Sequence, residues 1–207
     1  MKEQHKIEKK KYLDCFKNGT IEFKNGTTHS LGQYGEGNHG ERAQTFFIDA
    51  SVKSLIDVGA GQGNFVNNLV ELSNSLEKVY ALDIASVTAG VNKKHDKITW
   101  IDAMAHDVPL DDNSVEWVTS FDCLEHCLPE DVDTICSEFY RICTEGALVK
   151  ISYRGCMEQS KIRDELPEEH KDLHLSIYPK EEWINRFRNA GFSTVEEYND
   201  SYLIFRK

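Results

Sequence analysis

From Ser54 onward, short apolar runs alternate with stretches whose apolar residues recur at helical spacing. The runs are Ser54–Val58 (SLIDV), Val79–Ile84 (VYALDI), Ile98–Asp102 (ITWID), Val115–Ser120 (VEWVTS) and Ala147–Tyr153 (ALVKISY), and each reads as a buried strand. Between them, Asn64–Ser73 places Phe65, Leu69, Val70 and Leu72 on one helical face, and Ala85–Asn92 predicts a short helix. Pro129–Cys143 predicts a longer helix with Val132, Ile135, Phe139, Tyr140 and Ile142 on its apolar side. Pro179 suits the first turn of a helix running to Ala190, with Gly191 as its C-cap. Two final runs, Phe192–Tyr198 and Ser201–Phe205, flank Asn199-Asp200 and predict a hairpin. This alternation predicts an α/β fold: a doubly wound, mostly parallel, seven-stranded sheet with helices on both faces and a C-terminal antiparallel hairpin.

The first 53 residues break the pattern. A short basic helix is expected around Ile7–Phe16 and another helix over Glu41–Ala50. Between them the chain reads as an irregular loop region, because six of the 13 glycines fall between Gly19 and Gly40. Residues 1–53 are therefore expected to form a helical, glycine-rich cap or lid, and residues 54–207 the folded domain.

Charge narrows the partners. Against 24 Lys and Arg stand 35 Asp and Glu, a net charge of -11. Proteins that grip nucleic acid through its phosphates carry a basic face, so a nucleic-acid partner is not expected. The cluster Lys2, Lys6, Lys9, Lys10 and Lys11 reads as a solvated helix face. No run approaches the roughly 18 apolar residues of a membrane span, and no apolar stretch follows the N-terminal lysines as in a secretory signal. A cytoplasmic protein with no membrane partner is the expectation. The six cysteines include no C-x-x-C pair and read as reduced thiols, Cys123, Cys127, Cys136 and Cys143 as small hydrophobes on helix faces.

The most informative segment is Leu55–Asn64, LIDVGAGQGN. A strand carrying Asp57 runs into Gly59, Gly61 and Gly63, and a helix begins. Glycines permit a sharp turn and close approach of a ligand to the backbone. The helix start offers free N–H groups to a carboxylate or phosphate. Asp83 ends the next strand twenty residues past Gly63, where an acid can accept hydrogen bonds from both hydroxyls of an adenosine ribose. An adenosine-containing ligand at the carboxyl ends of the strands follows. The dinucleotide fingerprint G-x-G-x-x-G is not met, because the third glycine arrives one residue early and position 64 is Asn64.

Over Ser54–Lys207 the chain resembles the class I S-adenosylmethionine-dependent methyltransferases at four stations in order. Asp57-Val-Gly59-Ala60-Gly61-Gln-Gly63 is similar to the loop that holds the methionine part of the cofactor in that family. Asp83-Ile84 is similar to the ribose-binding acid and its apolar neighbour, and Asp102-Ala103-Met104 to the residues beside the adenine. Phe121-Asp122-Cys123-Leu124-Glu125-His126 is similar to the loop that borders the transferred methyl group. The resemblance implies S-adenosylmethionine as methyl donor, with S-adenosylhomocysteine as product. Residues 1–53 match nothing specific.

A base beside the methyl donor would take the proton from a hydroxyl or ammonium nucleophile, and His126 is the candidate; a structural hydrogen-bonding role is the alternative. Tyr34, His39, Arg154 and His174 are candidate substrate contacts. His170 and His174 sit one helical turn apart, but a solvated turn or a substrate contact by His174 is expected there, not a metal site. Where amino-methylating DNA enzymes carry [DNS]-P-P-[YF], this chain reads Phe121-Asp122-Cys123-Leu124. The expected reaction is methyl transfer to an O or N nucleophile of a small soluble metabolite. A nicotinamide-type oxidoreductase and a non-methylating S-adenosylmethionine binder stay open, because cofactor motifs do not report turnover.

Overall fold

The structure, a computed structural model, describes residues 2–22, 28–30, 40–90, 95–151, 174–199 and 202–207. Seven strands hydrogen-bond into one sheet in the order β5-β4-β3-β6-β7-β9-β8. They are β3 (Ser54–Val58), β4 (Lys78–Asp83), β5 (Ile98–Asp102), β6 (Val115–Phe121), β7 (Cys143–Lys150), β8 (Thr194–Asn199) and β9 (Tyr202–Arg206). The pairs β3/β4, β4/β5 and β6/β7 are parallel, while β9 runs antiparallel to both β7 and β8. The chain divides into two compact units, Met1–Ala105 and His106–Lys207.

In the first unit, β3 is buried along four successive residues, Leu55 to Val58, as a strand covered on both faces must be. Helix α3 (Asn64–Leu72) buries Phe65, Val66, Leu69 and Val70. Leu72, expected on that face, is 58% exposed. At about 100° per residue the buried stripe centres between Phe65 and Val70, leaving Leu72 at its edge and at the end of the helix. Helix α2 (Gly40–Asp49) contributes the buried Phe47, whose ring meets Phe65 edge-on at 6.2 Å. The short helix α4 is Ser86–Ala89. The N-terminal helix α1 runs from Glu3 to Asn18, longer than the basic stretch suggests, and buries His5, Glu8, Cys15 and Phe16. The region after it is not wholly irregular. Strands β1 (Thr20–Glu22) and β2 (Thr28–Ser30) form a small antiparallel sheet.

In the second unit, the helix expected from Pro129 begins with a 3-10 turn, Pro129–Asp131, and continues as α5 (Val132–Ile142). β7 begins at Cys143, four residues before its apolar run, because pairing with β9 extends back to Gly146 and pairing with β6 to Cys143. Gly146 is required there: a Cβ would lie 2.1 Å from the Phe205 carbonyl oxygen. Helix α6 (Lys180–Ala190) starts one residue after Pro179, which is therefore the N-cap and not a first-turn residue. Its buried Phe187 stacks on Phe205 of β9, ring centroids 4.1 Å apart and planes 12° from parallel. This aromatic contact anchors the helix to the C-terminal hairpin.

Candidate functional site

The glycine loop is stitched to the end of β4. The Gly59 and Ala60 N–H groups both donate to the Leu82 carbonyl, at 2.8 and 3.0 Å. Gly59, Gly61 and Gly63 take φ of 80°, 54° and 85°, the left-handed region that favours glycine. Gly63 has a second reason to lack a side chain, since a Cβ would stand 2.6 Å from the Trp100 indole. Gly63 is also the N-cap of α3 and makes no side-chain cap hydrogen bond.

Asp83 is only 6% exposed and holds the loop in place. One carboxylate oxygen accepts the Gly61 N–H at 3.0 Å; the other accepts the N–H groups of Ala85 at 2.8 Å and Ser86 at 2.7 Å. Burial pushes the carboxyl above its ordinary range, while the three N–H donors pull it back down. Asp57, the acid of the loop motif, is 4% exposed in β3. In the parallel register, Asp83 lies directly beside Asp102 at the carboxyl ends of β4 and β5. Asp102 bonds to Thr88 and forms an ion pair with Lys9 of α1. The N-terminal lysines are thus not all a solvated face. Lys2, Lys6 and Lys10 are exposed, but Lys9 grips Asp102 and Lys11 pairs with Glu8 at 2.7 Å. Ile84, Ala103 and Met104 are half-buried.

In the second unit the chain turns sharply where β6 ends. Asp122 adopts φ 47°, unusual for a residue with a side chain. Its N–H donates to the Lys150 carbonyl at 2.9 Å, and its carboxylate pairs with the Lys150 ammonium. The adjoining Phe121 meets Tyr202 edge-on at 5.8 Å. A 3-10 turn, Leu124–His126, follows, with Glu125 1% exposed. Two hydrogen bonds tie the segment around Ser176 to this turn. The Ser176 N–H donates to the Glu125 carbonyl at 2.9 Å, and its hydroxyl to the Cys127 carbonyl at 2.7 Å. They bring His174 against His126, with ring centroids 4.9 Å apart and planes 70° from parallel. Glu125, His126 and His174 each offer a donor atom within 4.8 Å of the others. His174 is half-buried, and the rest of the expected turn lies outside the described residues.

The first unit brings the three glycines, Asp83 and Asp102 to neighbouring strand ends, and the second brings His126 and His174 together. Tyr34, His39, His170 and Arg154 lie outside the described residues. Sequence reasoning did not single out Lys9, Trp100, Glu125 or Lys150 as site residues. Glu125 lies in the Phe121–His126 motif and Lys9 in the N-terminal basic cluster, but residue type and spacing assign neither a role at the site.

Residues 56–151 match the sequence model of the methyltransferase-domain family. No curated protein sequence matches the chain. Among solved structures, a candidate S-adenosylmethionine-dependent methyltransferase of Methanococcus maripaludis is 21% identical, covering 85% of this chain and 87% of its own, with a TM-score of 0.54. A candidate methyltransferase from an antibiotic biosynthesis pathway of Anabaena variabilis is 21% identical over 75% of this chain, with a TM-score of 0.57. The match covers 62% of the Anabaena protein's own length, less than two thirds. Human N-acetylserotonin methyltransferase, solved with its methyl donor, is 17% identical over 82% of this chain and 52% of its own, with a TM-score of 0.63. The glycine loop, the paired strand-end acids and the sheet order agree with the methyltransferase-domain match, and the chain is consistent with a class I S-adenosylmethionine-dependent methyltransferase.

Proposed function

We propose that the protein transfers the methyl group of S-adenosylmethionine to an oxygen or nitrogen of a small soluble metabolite in the cytoplasm. Gly59, Ala60, Gly61 and Gly63, with Asp57 behind them, hold the methionine part. Asp83 and Ile84 meet the ribose, and Asp102, Ala103 and Met104 frame the adenine. Phe121 and Asp122 border the methyl group. The observation that carries the acceptor side is the convergence of His126 and His174 beside a buried Glu125. Such a polar cluster suits an acceptor that must shed a proton.

The chemistry is an in-line displacement. The acceptor lone pair attacks the methyl carbon, the carbon–sulfur bond breaks, and its electron pair stays on sulfur. The donor is already activated, so the protein's task is to align the two and keep water out. In the metal-free protein His126 takes the acceptor's proton, and His174 contacts the acceptor. Residues 1–53 form the cap of a domain spanning 54–207, and Tyr34, His39 and Arg154 complete the acceptor pocket. The Lys9–Asp102 ion pair supports this cap, since it ties α1 to the residue assigned to the adenine. The net charge of -11 supports a small acceptor over nucleic acid.

Calorimetric titration with S-adenosylhomocysteine, run beside a titration with NAD, tests the cofactor assignment. Micromolar binding of the first and none of the second is expected; binding of NAD alone would overturn it. A panel of hydroxyl and amine acceptors then tests turnover, and cofactor binding with no transfer to any of them would favour a non-methylating binder.

A further inference from the structure

Two imidazoles and a buried carboxylate meet at the turn after β6, drawn from segments far apart in the chain. We propose that Glu125, His126 and His174 form a binding site for one divalent transition-metal ion of the zinc class, and that the ion activates the acceptor. The second half of this statement rests on the methyl-transfer reading; the binding does not.

Three features carry it. The first is the donor set. Two His and one carboxylate are the three protein ligands of open, catalytic sites for borderline divalent ions, which leave a position for water or substrate. The second is spacing. The three donor atoms lie within 4.8 Å of one another. Tetrahedral ligation at about 2.0–2.1 Å needs donors roughly 3.3 Å apart, so small side-chain rotations close the set. The third is support. The Ser176 N–H and hydroxyl bind the Glu125 and Cys127 carbonyls on either side of His126, so backbone hydrogen bonds fix the approach of His174. The imidazole planes are 70° from parallel, so they are not stacked face to face and can converge on a shared point. Glu125 is 1% exposed, and a cation bound beside it would offset the cost of burying its carboxylate.

With the ion in place, His126 is a ligand and no longer the base. The acceptor hydroxyl binds the open position, and the metal lowers its pKa, so its proton leaves to solvent. The resulting oxygen lone pair attacks the methyl carbon, and the carbon–sulfur electron pair returns to sulfur. The metal keeps its charge and oxidation state throughout. An acceptor with a hydroxyl, free to coordinate, is the substrate class this selects.

The test is titration of the chelator-treated full chain with Co2+, followed by its visible absorption, and with Zn2+ by calorimetry. Wild type should bind one ion and develop the absorption of low-coordinate cobalt. His174→Ala and His126→Asn should each weaken binding at least tenfold while far-UV circular dichroism is unchanged. Cys127→Ser, which removes the neighbouring thiol, and His106→Ala, which removes the separate His106–Asp131 contact at 3.5 Å, should bind as wild type does. No binding by wild type, or binding unaltered in His174→Ala, would overturn the site. S-adenosylhomocysteine binding, measured on the same chelated sample, separates the two readings. If it persists while the metal fails to bind, only the metal site falls. Slower methyl transfer on chelation, restored by Zn2+, is the expected outcome once an acceptor is in hand; transfer unaffected by chelation would overturn the metal's part in the reaction.

Discussion

At residue scale, Asp83 and Gly63 each carry a structural constraint that the motif alone does not show. Spacing marks Asp83 as the candidate ribose acceptor; its three backbone N–H partners make it the clamp of the glycine loop. Asp83→Ala strands those donors in a buried place, and each such loss costs about 1–3 kcal/mol. It should therefore lower both S-adenosylhomocysteine affinity and the denaturant midpoint. Asp83→Asn keeps one oxygen acceptor and should lose affinity with a smaller loss of stability, read from the same two measurements. An equal effect of the two variants on stability would refute the clamp. Gly63 was legible as a turn residue; the Trp100 indole at 2.6 Å from its missing Cβ was not. Gly63→Ala combines positive-φ strain with overpacking, each of order 1–3 kcal/mol. Urea unfolding should show a loss of at least about 1 kcal/mol, and cofactor affinity should fall with it.

At element scale, the apolar runs located every strand of the large sheet, most directly β3 and β6, because a strand buried on both faces must be apolar along its length. They misjudged the ends. β7 starts four residues early because backbone pairing, and not side-chain apolarity, decides where a strand begins. Helix α5 carries a device invisible to periodicity. Its Arg141 binds Glu138 one turn back and also the Val108 and Leu110 carbonyls, and Glu138 accepts the Val108 N–H at 3.0 Å. The Arg141 guanidinium holds the Glu138 carboxyl below its ordinary 4.5. A carboxyl lowered by folding adds stability above its unfolded value, and that stability is lost as pH falls through the folded value. Glu138→Gln should therefore flatten the acid side of the stability profile below about pH 4.5 while retaining the fold, as followed by urea midpoints at successive pH. A parallel shift at every pH, with no change of slope, would show that the charge is not responsible.

For the molecule as a whole, the thiols report on cooperativity. Cys15, Cys136 and Cys143 are buried in the two units, and burial pushes the Cys15 and Cys143 thiols up to about 11. Thiols that are both protonated and covered react only when the chain opens. A thiol reagent at neutral pH should modify Cys123 and Cys127, which are half-buried, well before these three, with the order read by peptide mass spectrometry. Reaction of Cys15, Cys136 and Cys143 should follow the denaturant transition; rapid native-state labelling of Cys136 would contradict the buried core of α5. Among the described residues, no helix is long and apolar enough to cross a membrane. The sequence by itself determined the α/β class, the hairpin at the end, the glycine loop and the two strand-end acids. Those features are encoded locally, in apolar period and in residue types at short spacing. Tertiary structure alone decided that His174 faces His126 and Glu125, that Lys9 holds Asp102, and that Lys150 pairs with Asp122. Each of these contacts joins segments distant in sequence, and only the packing of the chain determines which distant side chains meet.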